Sequence, residues 1–165
     1  GTGVIATAIK KNVASEEYIQ VAVESMSTLN KNAANALKGF DAHAVTDVTG
    51  YGLLGHLKEM CEGSGVSANI NFSDLEFLPG VRDLAESGIM AGGTRRNLEF
   101  VNDFVSFNSS LSELDRLLAA DAQTSGGLLI SLPESDANYF IDQFGEPAKI
   151  IGEIIDIKES LIQLI

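Results

Sequence analysis

The sequence predicts an α/β or α+β fold in which strands and helices interleave along one chain. Three observations carry this. Short β-branched or alternating apolar runs recur at 42–48, 66–72, 104–107, 128–132, 150–157 and 161–165. Between them lie stretches whose apolar residues repeat at helical spacing. Glycine clusters punctuate the joins, as at Gly63, Gly65, Gly92, Gly93, Gly126 and Gly127. With 165 residues, 45% hydrophobic and 21% charged, the chain is long enough to bury one substantial core. It carries no repeat and no low-complexity tract.

Taken in order, residues 3–10 alternate loosely and read as a strand. Ser15 with Glu16 and Glu17 forms a capped, acidic helix start, and Ile19, Val23 and Met26 continue it. Residues 30–37 stay helical until Gly39. A second strand spans 42–48, a helix 53–62, and a third strand 66–72, whose alternation is clear at Ile70 and Phe72. Leu78, Pro79 and Gly80 precede a short helix at 81–86. A polar loop is expected at 91–97, then a strand at 104–107 and a helix at 111–119. The polar stretch 121–127 leads into a strand at 128–132. Pro133 opens a helix that runs to Phe144 and is closed by Gly145, and strands at 150–157 and 161–165 finish the chain. The opening Gly1-Thr2-Gly3, without a methionine, reads as the inside of a longer protein cut at a domain boundary.

Charge narrows the function. There are 23 acidic and 11 basic side chains, a net charge of −12. That disfavours nucleic acid or an anionic membrane as partner, since both demand the opposite sign. A small phosphate ligand arriving with its own Mg²⁺ stays compatible. No run reaches the roughly 18 apolar residues of a membrane span, and no signal peptide is visible. One cysteine, Cys61, cannot form an internal disulfide, so a reducing, cytoplasmic setting is expected.

The chemistry concentrates at 44–57, AVTDVTGYGLLGHL. A strand ending in Asp47-Val48-Thr49-Gly50 that turns directly into a helix places a carboxylate and free backbone N–H groups at one rim. Such a rim suits a metal-bound phosphate. Gly50, Gly52 and Gly55 also match the dinucleotide pattern G-x-G-x-x-G, with Asp74 about 20 residues on. Thr46, Asp47 and Thr49 stand where that pattern needs apolar strand, and a carboxylate there repels a metal-free pyrophosphate. No second βαβαβ half follows, so a nucleotide-binding oxidoreductase is disfavoured.

Three stretches together carry a resemblance. Residues 46–57, TDVTGYGLLGHL, resemble the TDVTGFGLLGHL signature of selenophosphate synthetases (selenide, water dikinases). Residues 92–97, GGTRRN, resemble that family's GGTxRN, and 121–129, DAQTSGGLL, its DPQTSGGLL. Gly1-Thr2-Gly3 is similar to the end of its PLGTG interdomain hinge. The order and spacing match across essentially the whole chain. Tyr51 replaces Phe and Ala122 replaces Pro, the second leaving its turn less rigid.

The resemblance implies a C-terminal domain of the aminoimidazole ribonucleotide synthetase type, a mixed β-sheet layered with helices. Residues 1–165 would then form a single C-terminal domain, without the N-terminal domain that carries the family's reactive Cys or selenocysteine, its Lys and most Mg²⁺-binding aspartates. The implied activity is synthesis of selenophosphate, AMP and phosphate from selenide, ATP and water. The isolated chain is expected to be inactive, its partners being ATP, selenide, its own N-terminal domain and a second copy in a homodimer. Two alternatives stand beside this: another superfamily member in hydrogenase maturation or purine biosynthesis, disfavoured by the pairing of GGTRRN with QTSGG, and a non-catalytic module that kept the fold.

By the resemblance, Asp47 is a Mg²⁺ ligand, sharing the ion with N-terminal carboxylates, and Thr49 beside it is a cofactor-binding residue; Mg²⁺ takes only one or two carboxylates from any element. The residues alone leave open that Asp47 or Thr49 caps the following helix. Arg96, with Asn97 beside it, matches the family motif and could hold phosphate through its guanidinium fork; a solvated pair, or an ion pair of Arg95 or Arg96 with Glu99 or Asp103, is the alternative. Thr124 and Ser125 could offer hydroxyls to an anion, or belong to a turn that starts a buried strand. Cys61, between Glu59 and Glu62, is no activated nucleophile. His43 and His56 lack metal-ligand spacing and read as core or locally hydrogen-bonded residues.

Overall fold

A computed structural model describes residues 1–165. Eight α-helices and six strands alternate along the chain. Two strands, β1 (Ala44–Asp47) and β4 (Leu128–Ser131), form an antiparallel ribbon in which Asp47 lies opposite Leu128. The other four form a mixed sheet in the order β3 (Val105–Phe107), β6 (Ile162–Leu164), β2 (Val66–Ile70), β5 (Gly152–Asp156). In it β2 runs antiparallel to β5 and parallel to β6, and β3 is parallel to β6. The α/β class and the mixed sheet expected from the sequence are both present, with the ribbon as a separate sheet.

Two apolar clusters result. One sits between the mixed sheet and helix α4 (Gly52–Ser64), where Leu54, Leu57 and Cys61 at helical spacing meet Ala68, Ile70, Ile162 and Leu164. The other joins α1 (Thr2–Lys10), α2 (Glu16–Ser27) and α5 (Val81–Glu86) through Val4, Ile5, Ala8, Ala22, Val81 and Leu84. Helix α7 (Glu113–Ala119) serves both: Leu118 belongs to the helical cluster, and Ala119 with Ala120 to the sheet cluster.

Local chemistry explains most element ends. Ser15 accepts from the Tyr18 N–H at the start of α2, and Ser112 with Asp115 makes a reciprocal capping box on α7. Gly65, in the left-handed region at φ +67°, ends α4. The remaining helices are α3 (Lys31–Ala36), α6 (Gly92–Val101) and α8 (Glu134–Phe144). No helix is long and apolar enough to cross a membrane.

Two elements differ from the sequence reading. Residues 3–10 form a helix, not a strand. Val4, Ile5 and Ala8 fall on one helical face, but no local side chain caps its start. The free N–H groups of Gly3 and Val4 are instead taken by the Asp121 carboxylate, at 3.1 and 3.3 Å. A cap from so far along the chain leaves no sequence signal near the helix. Residues 91–97 are likewise not a loop; most of them form the first turns of α6. The glycine pair resembles punctuation, and the buried face of α6 is led by the polar residues Thr94 and Asn97, so apolar periodicity does not reveal it.

Asp121 is 1% exposed. Besides the α1 N–H groups, its carboxylate accepts from the Thr94 hydroxyl at 2.5 Å and from Gln123 Nε2 at 3.3 Å. Gln123 Oε1 in turn accepts from the Thr2 N–H and hydroxyl, at 3.2 and 3.0 Å. Removing one side of such a buried network strands several donors without water. Asp121→Ala is therefore expected to cost about 3 kcal/mol, read as a lower urea midpoint at an unchanged slope.

Candidate functional site

The rim predicted from the sequence is built where β1 ends. From Asp47 the chain makes a tight turn at Thr49 and Gly50 and enters α4. Its backbone is tied on three sides. The Val48 N–H donates to the Gly127 carbonyl at 2.9 Å. The Thr49 carbonyl accepts from the N–H groups of Gly52 and Gln123, at 2.9 and 3.0 Å. The Gly50 carbonyl accepts from Asn97 Nδ2 at 2.9 Å, and the same amide donates to Ala120 O at 3.2 Å. Three segments far apart in sequence, 46–52, 92–97 and 120–127, thus converge, the first and last backbone to backbone and 92–97 through the Asn97 amide on their carbonyls.

Two glycines make that approach possible. Gly52 has φ +69°, and a Cβ there would lie 2.7 Å from the Ala120 carbonyl oxygen and 2.8 Å from that of Asp121. At Gly126 a Cβ would collide with the carbonyl oxygen of Val48.

The sequence-predicted residues divide into two groups. Asp47 is exposed, and its carboxylate makes no hydrogen bond or ion pair within the chain. It does not cap α4: the residue at the N-cap position is Tyr51, with no side-chain cap. Arg95 and Arg96 are exposed on α6, and neither pairs with Glu99 or Asp103. Thr124 and Ser125 are also exposed, Ser125 in the left-handed region at φ +51°. These side chains are available to a ligand. Asn97 and Thr49 are already engaged. The Asn97 amide braces two carbonyls, and the Thr49 hydroxyl lies 3.0 Å from His56 Nε2.

The chain brings no three His, Cys, Asp or Glu side chains together as a metal cage. Asp47 alone offers a hard, unpartnered oxygen, which fits an ion sharing its ligands with phosphates and other elements. Cys61 is fully buried, and burial pushes its thiol above its ordinary value, the opposite of activation. A groove of about 1190 Å³ lies between β4 with α8 and the β2–β5 edge; Asp47, Thr49, Arg96, Thr124 and Ser125 do not line it.

Residues 1–164 match the family "AIR synthase related protein, C-terminal domain". The chain belongs to this family. Among curated relatives of this AIR synthase-related domain, a selenide, water dikinase of Yersinia pseudotuberculosis is 40% identical over 100% of the chain and 48% of that protein. Selenide, water dikinase 2 of Peptoclostridium acidaminophilum is 37% identical over 100% of the chain and 48% of that protein. The Aliarcobacter butzleri selenide, water dikinase is 37% identical over 94% and 46%. The chain thus spans about half the length of the relatives it matches. A thiamine-monophosphate kinase from Stenotrophomonas maltophilia shares the fold, with a TM-score of 0.56 at 17% identity over 98% of this chain and 46% of that one.

Asp121, Thr94 and Gln123 were not singled out by the sequence. They hold the rim's supports in place, Asp121 and Thr94 from full burial and Gln123 half-buried. The available signal was an acid and an amide following an apolar helix end, where buried polar groups need partners. Since Gly52 is held both by its positive φ and by two carbonyls, Gly52→Ala is expected to cost about 1–3 kcal/mol. Gly63→Ala, with open space around it, is the comparison in the same denaturation series and is expected to be neutral or better.

Proposed function

We propose that this chain is the C-terminal part of a selenophosphate synthetase, acting in the full-length protein on selenide, ATP and water to give selenophosphate, AMP and phosphate. The observation that carries the proposal is the free Asp47 carboxylate, on a rim built by the three sequence motifs that resemble that family. Similarity to selenide, water dikinases along the whole chain supports it.

Phosphoryl transfer depends chiefly on positioning and on neutralising charge. Asp47 is the residue that would hold Mg²⁺ on the nucleotide phosphates, and Mg²⁺ would neutralise phosphate charge there. Arg96 presents a planar fork of N–H donors suited to phosphate oxygens, and the Thr124 and Ser125 hydroxyls extend the same polar surface. Asn97 contributes indirectly, by fixing the Gly50 carbonyl and so the turn after Asp47. This chain supplies no nucleophile. The reacting groups and the other carboxylates of the cation site would come from the N-terminal part, with the nucleotide between the two. A cytoplasmic homodimer is the assembly this reading entails.

The test is selenide-dependent conversion of ATP to AMP by the full-length protein, compared with its Asp47→Asn variant. AMP formation is expected in the parent and a loss of about 10²-fold or more in the variant, with the melting temperature unchanged. A parent that makes no AMP with selenide present would sink the assignment. A variant as active as its parent would remove Asp47 from the cation site.

A further inference from the structure

Behind the rim, three side chains stand in line. The Thr49 hydroxyl lies 3.0 Å from His56 Nε2, and on the far side of the ring Glu59 Oε2 lies 3.3 Å from Nδ1. His56 is only 9% exposed, and the Tyr51 ring meets it edge-on at 5.8 Å. None of these contacts is needed to terminate or cap α4.

We propose that His56, oriented by Glu59, is a positioning residue that fixes the Thr49 hydroxyl as an outward-facing acceptor, so that Thr49 meets a hydrogen-bond donor and not a phosphate oxygen. A neutral imidazole carries one N–H and one bare nitrogen. A carboxylate accepts only, so Glu59 favours the tautomer with the proton on Nδ1 and leaves Nε2 bare. Thr49 has a single hydroxyl proton, and Nε2 takes it. Turning that proton outward would leave a buried ring nitrogen without a partner.

The residue cannot shift to escape this, because its carbonyl is held by Gly52 and Gln123. What faces out is oxygen lone pairs. Asp47, two residues earlier and exposed, is also an acceptor, so the same turn carries two acceptors. An ionised phosphate oxygen has no proton to offer them. The water shell of a divalent cation does. The identity of that cation rests on the function proposed above; the polarity of Thr49 does not.

The experiment separates the two. With only two histidines in the chain, ¹⁵N-histidine labelling resolves the tautomer of each by NMR, above the ordinary imidazole range and with no ligand added. His56 is expected to carry its proton on Nδ1, and Glu59→Ala to shift the population towards Nε2–H. An Nε2–H ring in the parent chain, or a tautomer indifferent to Glu59→Ala, overturns the proposal. Mn²⁺ and sulfate, a tetrahedral oxyanion with no proton to donate at this pH, are then added separately to the full-length protein, where the cation site would be complete. Mn²⁺ is expected to broaden the Thr49 methyl signal, and metal-free sulfate to leave it in place. In Thr49→Val the Mn²⁺ affinity is expected to fall several-fold, and in Thr49→Ser to be retained. Sulfate perturbing Thr49 without metal overturns the proposal. If Mn²⁺ leaves both Asp47 and Thr49 undisturbed while the Nδ1–H tautomer is found, the cation reading of the rim fails and the assigned polarity stands.

Discussion

The carboxylate of Asp121 is the contact on which the rest of this domain depends. It stands at the end of α7, where the two apolar clusters meet, and reaches both ways from there. Towards the helical cluster it satisfies the first N–H groups of α1. Towards the rim it holds the Thr94 hydroxyl, and with it the start of α6. Burying a carboxylate is costly unless its lone pairs are filled, and here two main-chain N–H groups, a hydroxyl and an amide fill them. The arrangement stabilises less through the charge itself than through the geometry it imposes: three elements must be in register for the group to be satisfied at all.

That geometry is passed on to the rim by the main chain. Carbonyls of Val48, Thr49, Gly50 and Ala120 all lie within the crossing of three segments, and glycine is required wherever two backbones come closest. Function is left to side chains that the crossing does not use. Asp47, Arg96, Thr124 and Ser125 project from a rigid frame without internal partners, which is the division of labour expected where a ligand needs free groups on a fixed base.

How legible this was depended on where the information sat. Strands β2 and β4 and helices α2, α4, α5 and α8 followed from apolar period, caps and glycine stops, because the residues that specify them lie within them. Helix α1 failed that test. Its cap is Asp121, and its short apolar run fits either period. Helix α6 failed because Thr94 and Asn97 replace the apolar residues a buried face normally shows. The same distinction runs through the site. The exposed Asp47 and Arg96 were visible as motif residues, whereas Asn97 was read as a contact to ligand and is seen bracing backbone. The pairing of Thr49 with His56 needed the turn of α4 to close the seven-residue gap between them.

The joint at α7 has a consequence for motion. The two apolar clusters are each closed around their own elements and are joined by α7, by the Asp121 carboxylate with its neighbours Gln123 and Thr124, and by the Phe72–Phe77 ring contact, so a partial opening of one need not open the other. Amide exchange would then report two cooperative units: a slower one of α4 and the mixed sheet, and a faster one of α1, α2 and α5 released when the carboxylate lets go. The rim belongs to the slower unit through α4 and is tied to the faster one through Asp121, Gln123 and Thr124, which bond the first residues of α1. A ligand clasped there would tighten the frame beneath it and, through those bonds, steady the start of the helical layer.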